Sequence, residues 1–355
     1  MTKKIAIVGS GLMGSAVAWP LTDNGYVVHL VGTHLDDDII ESCKKDRFHP
    51  RLKRTLPENV IPYYFSELDD ALEDVSFIVS GVNSNGVRWI GETLASRVNK
   101  DTRIIAITKG LEATEEGELV ILPDVLRAQL PADIRDMVSI AAVGGPCIAG
   151  ELAGRRQSCV YFGCRRLETV NTLREYFRTD YYHIWTTNDL RSLEMAVALK
   201  NAYALGVGVA AGMLQAAGGV DTAGAYMHNL AAAFFARGCK EIYNMLKAQK
   251  ANPEFAYTLP GAGDMYVTST GGRSVRLGSL MGTGMRYDEA SAKMADETLE
   301  AALVIQQMGK ALPALYAKGV LLREDFPMMN LLVDLVVHNK TPDLNLDNFF
   351  EDVVV

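Results

Sequence analysis

Three glycines near the start of the chain constrain its fold more than any other feature. Residues 5–21 read IAIVGSGLMGSAVAWPL: a short Ile/Val run, then Gly9, Gly11 and Gly14 in the spacing G-x-G-x-x-G, then an amphipathic stretch. In a strand–turn–helix unit each glycine has a task. Gly9 makes the tight turn, Gly11 lets backbone N–H groups reach a pyrophosphate, and Gly14 lets the helix pack close to the strand. The unpaired N–H groups at the helix start favour negative charge. The stretch predicts a dinucleotide-binding turn formed by Gly9, Ser10, Gly11, Leu12, Met13 and Gly14. A merely structural glycine turn is the alternative.

The pattern beyond the turn supports a sheet. KIAIVGS, YVVHLVG, VSFIVSGV, TRIIAIT and VSIAAVGG are short, rich in Val and Ile, and end in small residues. Strands this apolar suit a parallel sheet covered on both faces by crossover helices. SCVYFG and YYHIWTT extend its far edge. From Asp189 onward the texture changes to long Ala/Leu/Met segments of helical period, with Asn188 or Asp189 as the cap of the first. The expected architecture is an α/β dinucleotide-binding domain over 1–188 and an all-α domain over 189–355, with the site in the crevice between them. The last residues, PDLNLDNFFEDVVV, read as an acidic peripheral tail.

Composition narrows the partners. A net charge of −8 and 48% hydrophobic residues argue against a general nucleic-acid or anionic-membrane surface, though not against one local basic pocket. Five scattered cysteines suggest neither a disulfide framework nor a metal site, and a reducing cytoplasm is the expected home. Lys3 and Lys4 before the first apolar run echo a signal peptide, but glycines interrupt that run early. The most membrane-like stretch, residues 195–214, is rich in Ala and Gly and contains Lys200 and Asn201, so a buried helix is expected. The Met- and Ala-rich helices either bury a homodimer interface or fill the core.

Specific positions then suggest chemistry. The second strand of such a fold usually ends in an acid that holds the adenosine ribose; here Gly32, Thr33 and His34 stand there and Asp36 comes late. Thr33 and His34 are candidate contacts for a 2′-phosphate, which leans the cofactor NAD(P) toward NADP. If Asp36 swings in, NAD is the reading. Asn83 and Ser84, with Asn85, follow the strand VSFIVSGV and are expected near the nicotinamide. Lys109 ends TRIIAIT at the ligand-binding edge of the sheet, or is a solvated lysine at a strand end. Lys200 lies mid-helix among apolar and small residues. There it either works as a general acid/base or snorkels its head to water. The loop LPGAGDMYVTSTGGRSVRLG, residues 259–278, carries Asp264, Thr268 and Arg273 between five glycines; Arg273 suits a phosphate or carboxylate.

Together GSGLMGSA, TKGLE, GGPCIAGELAGR, LEMAVALKNAYALGVG, ARGCKEI and LPGAGDMYVTSTGGRS resemble the NAD(P)-dependent glycerol-3-phosphate dehydrogenase family. The resemblance spans residues 5–278, with a weaker match beyond. It implies a Rossmann-type domain joined to a helical domain like that of 6-phosphogluconate dehydrogenase. It also implies a phosphorylated small-molecule substrate, with hydride moving between nicotinamide C4 and C2 of dihydroxyacetone phosphate. It gives Lys200 the catalytic role, with Asp264 and Lys109 beside it. Gly145, Asn201, Thr268, Arg273 and Ser274 become substrate contacts, and Arg273 and Glu297 cofactor contacts. Three departures stand out. Ser274 replaces an Asn after the Arg, Gly150 replaces a common Lys, and the family's E-G-V appears only as ETLEAA with Glu297 the match. These sit around anions and cofactor, not at the hydride-transfer groups. The competing readings are a relative acting on another phosphorylated ketose or small hydroxy acid, and a non-catalytic nucleotide sensor.

Overall fold

The computed structural model describes residues 3–219, 228–344 and 346–349. The chain forms two compact units.

The first unit is built on an eight-stranded sheet. Its strands are β1 (Lys4–Val8), β2 (Val27–Val31), β5 (Val60–Tyr63), β6 (Val75–Ser80), β7 (Arg103–Ala106), β10 (Ser139–Gly144), β11 (Ser158–Cys164) and β12 (Tyr182–Thr187). The remaining strands form two small hairpins, β3 (Phe48–His49) with β4 (Arg54–Thr55) and β8 (Leu111–Ala113) with β9 (Leu119–Ile121). The sheet order is β12-β11-β10-β7-β6-β1-β2-β5. All seven expected strands are present. The all-parallel expectation fails at one pair, since β11 runs antiparallel to β10, with β12 parallel to β11 beyond it. Strand β5 escaped the sequence reading because Pro62 interrupts its apolar run. As the edge strand beside β2 it tolerates a residue that cannot donate to the ladder. Central residues such as Ile5, Ile7, Val79 and Ile105 are wholly buried, as a sheet covered on both faces requires. The helix after the glycine turn breaks at Val17 into Leu12–Ala16 and Ala18–Asp23. Pro20 has no N–H to offer the Ala16 carbonyl.

The second unit begins at Arg191, and it also contains Gly110–Ile121. This differs from a single boundary at 188. The β8–β9 hairpin belongs here because its hydrogen bonds do: Ala113 N–H donates to Gln307 Oε1 (3.0 Å), and Lys318 Nζ to the Glu116 carbonyl (2.6 Å). The remaining elements are helical, the longest being Leu190–Ala216, His228–Ala248 and Glu300–Ala317. Leu190–Ala216 is long and apolar enough to cross a membrane, but 83% of its most apolar window is buried in the protein. Its glycines explain its composition. A Cβ on Gly212 would lie 2.0 Å from the Ser279 carbonyl oxygen, and one on Gly278 2.0 Å from that of Leu205. Helices Leu190–Ala216 and Arg273–Gly282 thus meet backbone to backbone, which only side-chain-free positions allow. A buried knot supports the same helix one turn beyond Lys200. Glu241 accepts from Tyr203 Oη (3.0 Å), Arg237 Nε (2.9 Å) and the N–H groups of Met328 (2.8 Å) and Met329 (2.9 Å). The tail is not wholly peripheral: Phe349 is buried and stacks on Phe234 at 5.5 Å. Residues 350–355 lie outside the described ones.

Candidate active site

In the first unit the site is shaped mainly by backbone. Gly9 has φ +113°, a conformation that side chains resist. A Cβ on Gly14 would lie 2.1 Å from the Gly9 carbonyl oxygen, so turn and helix touch directly. Gly11, in contrast, opens onto space, with nothing within 4 Å of the position a Cβ would take. Ser10 Oγ is buried with no hydrogen-bond partner among the described residues, and so is Ser84 Oγ. The unsatisfied Ser10 hydroxyl beside an open glycine suits an anionic, hydrogen-bonding ligand such as a dinucleotide. Leu12 is exposed, and Met13 lines a small cavity with Val17, Lys109, Gly145, Cys147 and Tyr182. Burial pushes the Tyr182 phenol well above its ordinary 10, so it stays neutral. Lys109 is half-buried and its Nζ donates to the Gly145 carbonyl at 3.3 Å. It is not simply a solvated lysine.

The loop after β2 is equally specific. Asp36 is buried, and its Oδ2 accepts from both the N–H and the hydroxyl of Thr33, at 3.0 and 2.8 Å. Its carboxylate is turned back into its own loop. His34 is exposed and lies edge-on to Trp89 at 5.2 Å. Asn83 and Asn85 are exposed; Asn83 Oδ1 accepts from Gly86 N–H at 3.2 Å.

In the second unit the site is made of side chains. Lys200 is 3% exposed and Asp264 2%. Lys200 Nζ donates to Asp264 Oδ1 at 2.7 Å and to Thr268 Oγ1 at 2.6 Å. Snorkelling is therefore ruled out: the head ends inside the protein, on a carboxylate. A buried ammonium needs a counter-charge, and the Asp264 carboxylate supplies it. Asp264 owes its place to a wide turn over Leu259–Gly263, closed by Gly263 N–H to the Thr258 carbonyl at 3.1 Å, after which helix Asp264–Ser269 begins. Thr268, one turn on, donates its hydroxyl proton to the Asp264 carbonyl at 2.7 Å. Asn201 is buried, and its Nδ2 has no hydrogen-bond partner among the described residues.

Arg273 opens helix Arg273–Gly282 and is exposed, whereas the next residue, Ser274, is buried. Glu297, expected at the cofactor, accepts from Arg276 Nη1 at 2.8 Å through Oε1. Sequence reading missed Arg276, because nothing local marks a partner 21 residues away. It also missed His49, wholly buried against the glycine turn, whose Nε2 lies 3.0 Å from the Ser10 carbonyl.

Known proteins resemble this chain over most of its length. Residues 4–170 match the family model described as NAD-dependent glycerol-3-phosphate dehydrogenase N-terminus, and residues 189–347 its C-terminus counterpart. The chain is 32% identical over 290 residues to the NADP(+)-dependent glycerol-3-phosphate dehydrogenase of Archaeoglobus fulgidus, covering 82% of this chain and 83% of that one. It is 30% identical over 296 residues to a Bacillus cereus glycerol-3-phosphate dehydrogenase [NAD(P)+], covering 82% and 81%. Its fold is similar to that of the crystal structure of glycerol-3-phosphate dehydrogenase from Coxiella burnetii. The TM-score is 0.80 at 22% identity, over 99% of this chain and 98% of that one.

Proposed function

This chain belongs to the NAD-dependent glycerol-3-phosphate dehydrogenase family, and from that premise we propose that it reversibly reduces dihydroxyacetone phosphate to sn-glycerol 3-phosphate with NAD(P)H. The observation that carries the reading is the buried Lys200–Asp264–Thr268 cluster. A lysine is worth burying with its counter-charge where a carbonyl must be reduced. As the carbonyl carbon is attacked, charge grows on its oxygen, and an ammonium both stabilises that charge and supplies the proton.

Each residue then has a part. The glycine turn and Ser10 hold the dinucleotide phosphates, with Asn83 and Ser84 toward its nicotinamide end. A nicotinamide held there would supply the hydride for C2 of the ketone, or accept it from the alcohol. Lys200 holds a proton at Nζ and passes it to the C2 oxygen, then regains one from solvent. Asp264 and Thr268 fix the direction of that nitrogen, and Lys109 adds positive charge. Arg273 takes the substrate phosphate in a two-pronged grip, with Gly145, Asn201 and Ser274 completing the contacts. The lean to NADP rests on Asp36, whose Oδ2 is committed to Thr33. The relative from Archaeoglobus fulgidus is named as NADP(+)-dependent. Among the described residues Cys43, Cys159, Cys164 and Cys239 form no disulfide, which supports a reducing, cytoplasmic setting.

The test is absorbance at 340 nm with dihydroxyacetone phosphate and NADH or NADPH in parallel. Oxidation of both, faster with NADPH, is the expected result. Dinucleotide binding without oxidation would move the substrate to another ketose or keto acid, with Ser274 the first suspect.

A further inference from the structure

The segment Arg47–Leu56 holds the glycine turn from outside the strand–turn–helix unit. Its core is the β3–β4 hairpin, with Phe48 opposite Thr55 and His49 opposite Arg54. Lys53 N–H donates to the His49 carbonyl (2.8 Å) and Leu56 N–H to that of Arg47 (2.8 Å). Leu52 and Leu56 are buried in the same core cluster as Val17, Ala149 and Leu152. The hairpin is thus packed where the turn is packed.

His49 makes the direct link. Leu52 N–H donates to Nδ1 at 3.0 Å, so Nδ1 carries no proton and Nε2 must. Nε2–H then donates to the Ser10 carbonyl at 3.0 Å. Ser10 lies between Gly9 and Gly11, and its carbonyl belongs to the same peptide as the Gly11 N–H. Fixing that oxygen fixes where the N–H points, at the glycine with open space above it. Ser15 Oγ donates to the same oxygen at 3.1 Å, so the peptide is held from two sides. Burial keeps the His49 imidazole below its ordinary 6.5, as neutral as this bonding needs. Arg51, two residues on, is exposed and makes no hydrogen bond or ion pair among the described residues, yet its charge is felt at the His49 ring.

We propose that this hairpin is a working part of the dinucleotide site, in which His49 is a positioning residue for the Ser10–Gly11 peptide and Arg51 adds a positive charge beside it. The inference rests on the dinucleotide reading of the turn. The test titrates the full-length protein with NADPH, following cofactor fluorescence, for wild type, His49→Leu, His49→Gln and Arg51→Glu. Leucine keeps the volume and loses both hydrogen bonds. Glutamine keeps a donor for Ser10 and an acceptor for Leu52. His49→Leu is expected to weaken binding about tenfold, the cost of one buried hydrogen bond, with the loss falling on the KM for NADPH more than on kcat. His49→Gln should recover most of it. Arg51→Glu should weaken binding about threefold at low salt and less as salt is raised. Wild-type affinity in a folded His49→Leu protein overturns the proposal. If that variant does not fold, wild-type affinity in Arg51→Glu overturns it instead. A wild type that binds no dinucleotide overturns the reading beneath it, which is a different result.

Discussion

On the proposed reading, the two units contribute to hydride transfer by opposite means. In the first, geometry is set by main chain: Gly9 in a left-handed conformation, Gly14 against its carbonyl, and Gly11 left open. In the second it is set by charge: a lysine and an aspartate, both nearly inaccessible, joined at 2.7 Å. A backbone site is spoiled by adding atoms, and a charge site by removing one. That asymmetry can be tested residue by residue.

The largest effect belongs to Lys200→Met, which keeps the length of the side chain and removes the proton donor. Turnover should fall about 10²–10⁴-fold while NADPH fluorescence titration still reports binding. Loss of binding with turnover would make Lys200 structural and dissolve the contrast. Asp264→Asn comes next. It leaves a buried ammonium without its counter-charge, for which about 3–5 kcal/mol of destabilisation is expected in denaturant unfolding. Gly14→Ala adds a methyl where 2.1 Å separates it from backbone. Overpacking of about 1–3 kcal/mol should weaken dinucleotide affinity about 10–100-fold, read by the same titration, with Lys200 untouched.

A smaller effect follows from pH. His49 is held below 6.5 by burial, aided by the charge of Arg51 and opposed by that of Asp36. A depressed folded-state value gives stability that is present above 6.5 and lost as pH falls through the folded value. The melting temperature of wild type should thus drop more between pH 7 and pH 5 than that of His49→Gln, which has no group to protonate there. The smallest change is Arg276→Gln. Its pair with Glu297 is half-exposed, so unfolding should shift by under about 1 kcal/mol. A large change in cofactor affinity there would instead draw Glu297 into the site.

The same contrast governed what could be read in advance. Glycine spacing and Val/Ile runs are local signals, so the turn and seven strands were visible in the residues themselves. Strand β5 was hidden by Pro62, and the antiparallel turn at β11 by the absence of any local mark of direction. The lysine–aspartate contact joins residues 64 positions apart, and only resemblance to a family brought them together beforehand. His49 sits in a polar, basic stretch where one histidine has no periodicity to betray it. The domain boundary near 188 was read from texture, but the hairpin over 110–121 obeys contacts across nearly 200 residues.

That hairpin bears on how the polypeptide is made. A ribosome delivers Ala113 to the exit tunnel 194 residues ahead of Gln307, its hydrogen-bond partner. The first unit is complete by Leu190, with this strip of the second already looped out between Lys109 and Leu122. The nascent chain must carry the strip unplaced until the helix Glu300–Ala317 emerges. A gene cut at the apparent boundary would strand the strip on the wrong fragment. Two separately expressed halves would each be flawed, one with an orphan loop and the other with a gap beside Gln307.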